Sequence, residues 1–215
     1  MTVRGMPGLS DPDHELRGVV ADLTRRYDGT LAPETVERTV MESYTALART
    51  AKVTTHLPVL AAHFATERLA ALARAKGVHA RDCPEVLFVC VQNAGRSQMA
   101  ALLLEHYSAG RVRARSAGAA PIRQVDPHAV AAMAERGLDM SHAYPKPLTD
   151  DVVRAADVVV TMGSADAVPV YPDKRYEEWG LADPAEDTIE EARRIRDDVD
   201  ARVLKLLEEL APLGS

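Results

Sequence analysis

Nine consecutive residues, Val89-Cys90-Val91-Gln92-Asn93-Ala94-Gly95-Arg96-Ser97, hold the side chains of this 215-residue chain best suited to chemistry. A cysteine and an arginine separated by five residues can enclose a small anion. A loop of that length curls so that several backbone N–H groups face one centre, and a helix starting at its end adds free N–H groups and a positive dipole end. A tetrahedral oxyanion fits such a cradle. Arg96 can clamp it with a planar two-toothed fork that lysine cannot imitate. Cys90, in the same positive field and within reach of the Ser97 hydroxyl, is set up as a thiolate nucleophile. Gly95 permits close backbone approach, and Asn93 tolerates left-handed backbone while its amide braces the loop. Val91, Gln92, Asn93, Ala94, Gly95 and Arg96 are thus the candidate oxyanion-binding residues. The bland alternative, a buried strand-end cysteine beside a surface arginine, accounts for neither the internal Gly and Asn nor the flanking Ser.

Such a loop must be held between a strand and a helix. Val86-Leu87-Phe88-Val89 is a continuous apolar run, the pattern of a parallel strand buried on both faces. Ser97 to about Tyr107 predicts the helix, with Met99, Ala100, Leu103 and Leu104 turned inward. Val112 to Ser116 reads as an alternating strand. Asp126-Pro127 predicts a capped helix ending at Gly137, because Asp accepts from free N–H groups and Pro has none to satisfy. Thr149 with Asp150 and Asp151 starts another helix. Asp157 to Thr161 gives a third strand, Lys174 to Trp179 a short fourth, and Glu186 to about Leu210 a long closing helix. Alternating strands and helices imply an α/β fold, a parallel sheet with helices on both faces, over residues 84–212. Cys83 precedes the first strand. At about 3.3 Å per residue it lies roughly 20 Å from Cys90, too far for a disulfide, and reads as an inert thiol.

The preceding residues, 11–77, read differently. Three amphipathic patterns follow one another with no strand: Leu16 to Tyr27 after a cap at Asp11 or Asp13, Pro33 to Leu47, and Thr55 to about Lys76. They predict a small three-helix bundle. Its apolar surface exceeds what a spacer needs, so we expect it to cover part of the active face or to form a homodimer through these helices. His56 and His63 share one face of the third helix, and with no further ligand nearby they read as surface residues. The composition is ordinary for a globular chain, with 47% hydrophobic and 27% charged residues. Residues 1–80 carry 10 basic and 9 acidic side chains, and residues 81–215 carry 16 and 23. Neither part has the basic excess of a nucleic-acid binder. Without a signal-peptide layout or an apolar run of membrane-spanning length, a cytoplasmic protein is expected, with no membrane partner and no metal.

Residues Val86 to about Leu210 resemble the low-molecular-weight protein tyrosine phosphatase fold family, and within it the arsenate reductases. The loop Cys90 to Ser97 matches the family's signature, and Asp183-Pro184 its general-acid loop. The resemblance implies Cys90 as nucleophile, Arg96 as oxyanion clamp, Ser97 as thiolate-stabilising hydroxyl, Asn93 as loop brace and Asp183 as proton donor. The branch rests on other residues. Gln98-Met99-Ala100 follows Arg96-Ser97 where phosphatases usually have Pro, and Ala185 follows Pro184 where they carry aromatics. Ser116-Ala117-Gly118, Met162-Gly163, Tyr171-Pro172, Lys174-Arg175-Tyr176 and Trp179-Gly180 also look like arsenate reductase. Arsenate is then the expected ligand, with phosphate or sulfate able to occupy the same loop.

One departure bears on the electrons. Thioredoxin-linked reductases of this branch carry two further cysteines after the third strand, where this chain has Ser164 and Val168. Reducing As(V) to As(III) takes two electrons, so the resemblance implies an external thiol. A low-molecular-weight thiol, mycothiol or glutathione, would attack arsenic and leave as a mixed product, with a glutaredoxin-type protein recycling it and no bound cofactor. Arginine outnumbers lysine 21 to 5 and alanine is abundant, a GC-rich bias that favours mycothiol. On this reading thioredoxin alone would not sustain turnover. The alternatives are a phosphate-ester hydrolase on the same loop and a regulatory protein that only binds the oxyanion.

Overall fold

The computed structural model describes residues 12–49, 56–77, 83–181 and 188–212. The chain divides into two compact units, Met1–Ala73 and Arg74–Ser215. In the first, α1 (Pro12–Arg26), α2 (Pro33–Ala48) and α3 (Leu57–Ala75) follow the three amphipathic patterns. Leu16 and Leu23 of α1, Tyr27 in the turn after it, Val36, Val40 and Leu47 of α2, and Phe64 and Leu69 of α3 are buried. Pro33 stands at the first turn of α2, where its missing N–H costs nothing. Arg68 ties α3 to α2 by donating to Glu42 at 2.9 Å and Ser43 Oγ at 3.3 Å. His56 and His63 are exposed. The candidate cap Asp11 lies outside the described residues, and Asp13 falls inside α1 rather than before it. The last residues of α3, from Arg74 on, belong to the second unit.

That unit is built on a four-stranded parallel sheet. The strands are β1 (Glu85–Cys90), β2 (Arg113–Gly118), β3 (Val158–Met162) and β4 (Arg175–Glu178), in the order β2-β1-β3-β4. Around them run α4 (Arg96–Ser108), α5 (Pro127–Ala134), α6 (Asp150–Ala155) and α7 (Ile189–Leu210). Every residue of β1 is buried, as its unbroken apolar run requires. Val86, Phe88 and Cys90 join Val158, Val160 and Met162 in the main core, against Met99, Leu103 and Leu104 of α4 and Val199 and Val203 of α7. Asp126 caps α5 by accepting from His128 N at 2.8 Å, and Thr188 caps α7 by accepting from Glu191 N at 3.3 Å. Thr149 precedes α6 as expected but makes no such cap bond.

β2 departs from the alternating pattern: only Arg113 is exposed, and Arg115 is buried. The reason is Glu85, fully buried at the start of β1, whose Oε1 accepts from Arg115 Nε at 2.7 Å. Arg74 Nε and Arg113 Nη1 approach Oε2 at 3.8 and 3.9 Å. Asp157 completes the cluster, accepting from Arg74 Nη2 at 2.5 Å and from Glu85 N at 2.9 Å. All of this sits at the N-terminal edge of the sheet. At the opposite edge, β1 is the strand from which the chain moves first to β2 on one side and then to β3 on the other. In open parallel sheets such a reversal opens a crevice beyond the strand's C-terminal end, where ligands bind. Cys90 is the last residue of β1.

Candidate active site

The loop leaving β1 is shaped by where its carbonyl groups go. Cys90 O accepts from Ala119 N at 3.1 Å, Val91 O from Ala120 N at 2.8 Å, Gln92 O from Ile122 N at 3.2 Å and Ala94 O from Asp126 N at 2.9 Å. Asn93 O accepts from Gln98 Nε2 at 3.1 Å, and Gly95 O from Met99 N at 2.9 Å. A trans peptide points its N–H opposite to its C=O. With six successive carbonyls turned out toward 119–126 and α4, the N–H groups of residues 91–96 are turned inward. Asn93 N–H shows the result, donating to Cys90 Sγ at 3.1 Å. Asn93 has φ of +51°, the left-handed conformation that makes the reversal.

Cys90 is 2% exposed, and its Sγ lies 2.9 Å from Ser97 Oγ. Asn93 Nδ2 donates to Ser97 Oγ at 2.8 Å. The start of α4 at Arg96 aims its free N–H groups and dipole at the same point. Arg96 is half-buried, and the Cβ position at Gly163, just beyond β3, lies 3.9 Å from its Nη1. The loop after β3 therefore borders the guanidinium. Ser164 is buried there and donates to Val89 O at 3.2 Å, and Val168 is buried beyond the short 3-10 turn Ala165–Ala167. A cavity of about 590 Å3 opens at the loop, lined by Cys90, Arg96, Val125, Asp126 and Glu191 among others.

The structure thus brings together Cys90, the loop from Val91 to Arg96, and Ser97. Asp183 lies outside the described residues. Thr188 and Glu191, which follow it in sequence, line the cavity. Cys83 is partly exposed and free at the other end of β1. Among the described residues no cluster of His, Cys, Asp and Glu could hold a metal ion. No helix there is long and apolar enough to cross a membrane.

Two features escaped the sequence. Segment 119–126 holds the loop through backbone N–H groups, which any residue except proline supplies, so composition carries no trace of it. Gln98 was visible only as a mark of the arsenate reductase branch, and its proximity to Ser97 on the first turn of α4 was the available signal.

Residues 85–213, more than half of the chain, match the family model described as low molecular weight phosphotyrosine protein phosphatase. The chain belongs to this family. Residues 16–73 match a second model, the N-terminal domain of protein-tyrosine-phosphatase-like proteins, so the helical unit accompanies a phosphatase-family domain in other proteins too. The solved structure of a thioredoxin-dependent arsenate reductase of Corynebacterium glutamicum is 44% identical, with a TM-score of 0.83, over 92% of this chain and 96% of that one. Arsenate reductase 1 of Staphylococcus epidermidis is 38% identical over 55% of this chain and 91% of that protein. An arginine phosphatase of Geobacillus stearothermophilus is 28% identical, with a TM-score of 0.52, over 59% of this chain and 92% of that one.

In this member of the low molecular weight phosphatase family, Gly118 at the end of β2 has a specific role. A Cβ there would stand 2.8 Å from Asn93 Cβ and 3.0 Å from both Asn93 N and Val91 O. These are backbone or near-backbone atoms that cannot swing away. Gly118 also donates to Lys146 O and accepts from Leu148 N, each at 2.8 Å, so it cannot retreat. Gly118→Ala should displace the anion loop, weakening phosphate binding by about five- to 150-fold for a cost of roughly 1–3 kcal/mol. Calorimetric titration with phosphate, alongside an unfolding curve to show that the variant remains folded, checks this.

Proposed function

We propose that this chain reduces arsenate to arsenite with Cys90 as nucleophile. The observation that carries the reading is the convergence of Ser97 Oγ and Asn93 N–H on Cys90 Sγ inside a loop whose carbonyls all face away. The similarity of the whole chain to one arsenate reductase, and of the catalytic unit to another, supports arsenate as the substrate.

Arsenate sits in the loop against the inward N–H groups and Arg96. The Cys90 thiolate attacks arsenic, forming an As–S bond as an As–O bond breaks. The leaving oxygen takes a proton, and the family resemblance gives that task to Asp183. Developing negative charge is met by fixed N–H groups and the guanidinium rather than by mobile water. An external thiolate then attacks the Cys90 sulfur. The As–S electron pair passes to arsenic, arsenite leaves, and Cys90 is left in a mixed disulfide. A second thiol breaks that disulfide and restores Cys90, so two thiols supply two electrons.

Both thiols come from outside, because the chain has only two cysteines and Cys83 stands at the far end of β1. The Corynebacterium neighbour's dependence makes thioredoxin, a dithiol, the first reductant to test. Mycothiol or glutathione with a glutaredoxin-type protein is the second, favoured by Ser164 and Val168. Ser164 commits its proton to Val89 O, so this loop holds packing residues in place of a relay. A phosphatase reading is favoured by the arginine phosphatase likeness.

One preparation, assayed for arsenate-dependent thiol oxidation with each reductant system and for hydrolysis of aryl phosphate and phosphoarginine, separates these readings. Arsenate turnover with either reductant is the expected result. Efficient ester hydrolysis without arsenate turnover would replace the proposal by the phosphatase reading. Installing cysteines by Ser164→Cys with Val168→Cys, both within the loop bordering Arg96, should raise thioredoxin-linked turnover several-fold, because the mixed disulfide could then be resolved within the chain. The rate of NADPH consumption through thioredoxin reductase measures it.

A further inference from the structure

We propose that Gln98 is a positioning residue for this reaction: it fixes which way the Asn93 side-chain amide faces and thereby keeps the Ser97 proton on Cys90. The inference rests on the reading of Cys90 as nucleophile. Gln98 is 7% exposed, and its Nε2 lies 3.1 Å from Asn93 O, 3.0 Å from Asn93 Oδ1 and 2.8 Å from Tyr144 O. Three oxygens around one atom require it to be the NH2 group, because an oxygen there would face acceptors alone.

The consequence runs inward through hydrogen-bond polarity. Asn93 Oδ1 accepts from Gln98 Nε2 and also from Lys146 N at 2.8 Å. With Oδ1 doubly engaged, Asn93 turns Nδ2 toward Ser97 Oγ, 2.8 Å away. Ser97 Oγ therefore accepts from Asn93, and its single proton is left for Cys90 Sγ at 2.9 Å. Were the Asn93 amide reversed, its oxygen would draw the Ser97 proton to itself and the sulfur would lose a donor. Gln98 opposes that reversal twice, at Oδ1 and at the Asn93 carbonyl, which it holds outward in the left-handed turn of the loop. Through Tyr144 O and Lys146 N, the same chain of bonds fastens the segment before α6 to the nucleophile.

The test uses two variants in a Cys83→Ser background, so that alkylation reports on Cys90 alone. Gln98→Met keeps the length and removes the donor, and Gln98→Glu sets an acceptor among three acceptors. Arg96, Asp126 and Glu191, the charged groups lining the cavity, are untouched in both. At pH 6 the rate of Cys90 alkylation by iodoacetamide should fall about ten- to a hundredfold, the worth of one hydrogen bond to a charged group. Phosphate affinity of Gln98→Met should fall by less than the alkylation rate, because Arg96 is kept and the carbonyls of Cys90, Val91, Gln92, Ala94 and Gly95 keep their main-chain partners. An alkylation rate for Gln98→Met within about twofold of the background protein would overturn the proposal. Should both variants misfold, side-chain amide exchange in the unmodified protein decides. Protection of Asn93 Nδ2 and Gln98 Nε2 beyond exposed amides supports the chain of bonds, and exchange at the exposed rate refutes it. None of these readouts uses arsenate, so their outcome is independent of whether arsenate is reduced.

Discussion

Cys90→Ser should lose at least about 10³-fold in arsenate-dependent thiol oxidation while still binding phosphate, since removing a covalent nucleophile costs far more than removing a supporting contact. The serine oxygen would stand in the same place, receiving Asn93 N–H and facing Ser97 Oγ. It would remain a hydroxyl at neutral pH and would form no adduct that a thiol could reduce. The inward N–H groups and Arg96 would be intact, so calorimetry with phosphate should give an affinity within about threefold of the parent protein. Turnover above a tenth of the parent rate would take the nucleophile role away from Cys90. Cys83→Ser, at the other end of the strand, should leave turnover within about twofold.

The largest effect on stability is expected at the opposite edge of the sheet. Glu85 is the fully buried carboxylate to which Arg115 donates and toward which Arg74 and Arg113 converge. Glu85→Ala removes the carboxylate to which Arg115 donates and toward which Arg113 turns, while Arg74 keeps its bond to Asp157. Breaking a buried pair from one side costs about 3–5 kcal/mol, which lowers the melting temperature by roughly 10 °C in a chain of this size. Glu85→Leu with Arg115→Met should cost far less than Glu85→Ala, since it removes charge from both partners and fills the space with apolar atoms. Thermal unfolding of the two variants against the parent checks both statements. A single-variant loss below about 1 kcal/mol would mean that the cluster contributes little.

The parts of this architecture that were legible in the sequence are those written in side chains. Val86 to Val89 announces a strand buried on both faces, and Asp126-Pro127 announces a cap that the Asp126 carboxylate makes. The anion loop was legible because it needs Cys, Arg and a residue tolerant of left-handed backbone at fixed spacing. β2 was misread in one respect, because alternation assumes that arginine faces water. Arg115 is buried instead, since a partner 30 residues earlier neutralises it. Such long-range pairing leaves no local signature. The 119–126 brace was invisible for a related reason, being made of main-chain bonds that every non-proline residue can offer. That the loop carrying Ser164 and Val168 begins at a glycine beside Arg96 became apparent only once β1 and β3 were seen to be neighbours.

The outward-turned carbonyls carry one consequence for selectivity. A cradle made of peptide N–H groups and one guanidinium measures the size, shape and charge of a tetrahedral anion, and phosphate and arsenate are nearly alike in all three. Under the proposed function, discrimination would be exercised after capture, by the chemistry open to each central atom. Arsenic held by sulfur can accept an electron pair when a second thiol arrives, and phosphorus cannot. On the proposed arsenate-reducing activity, the protein would resemble a ratchet more than a lock: phosphates would enter and leave unchanged, and only an anion that can be reduced would be carried through to a different product.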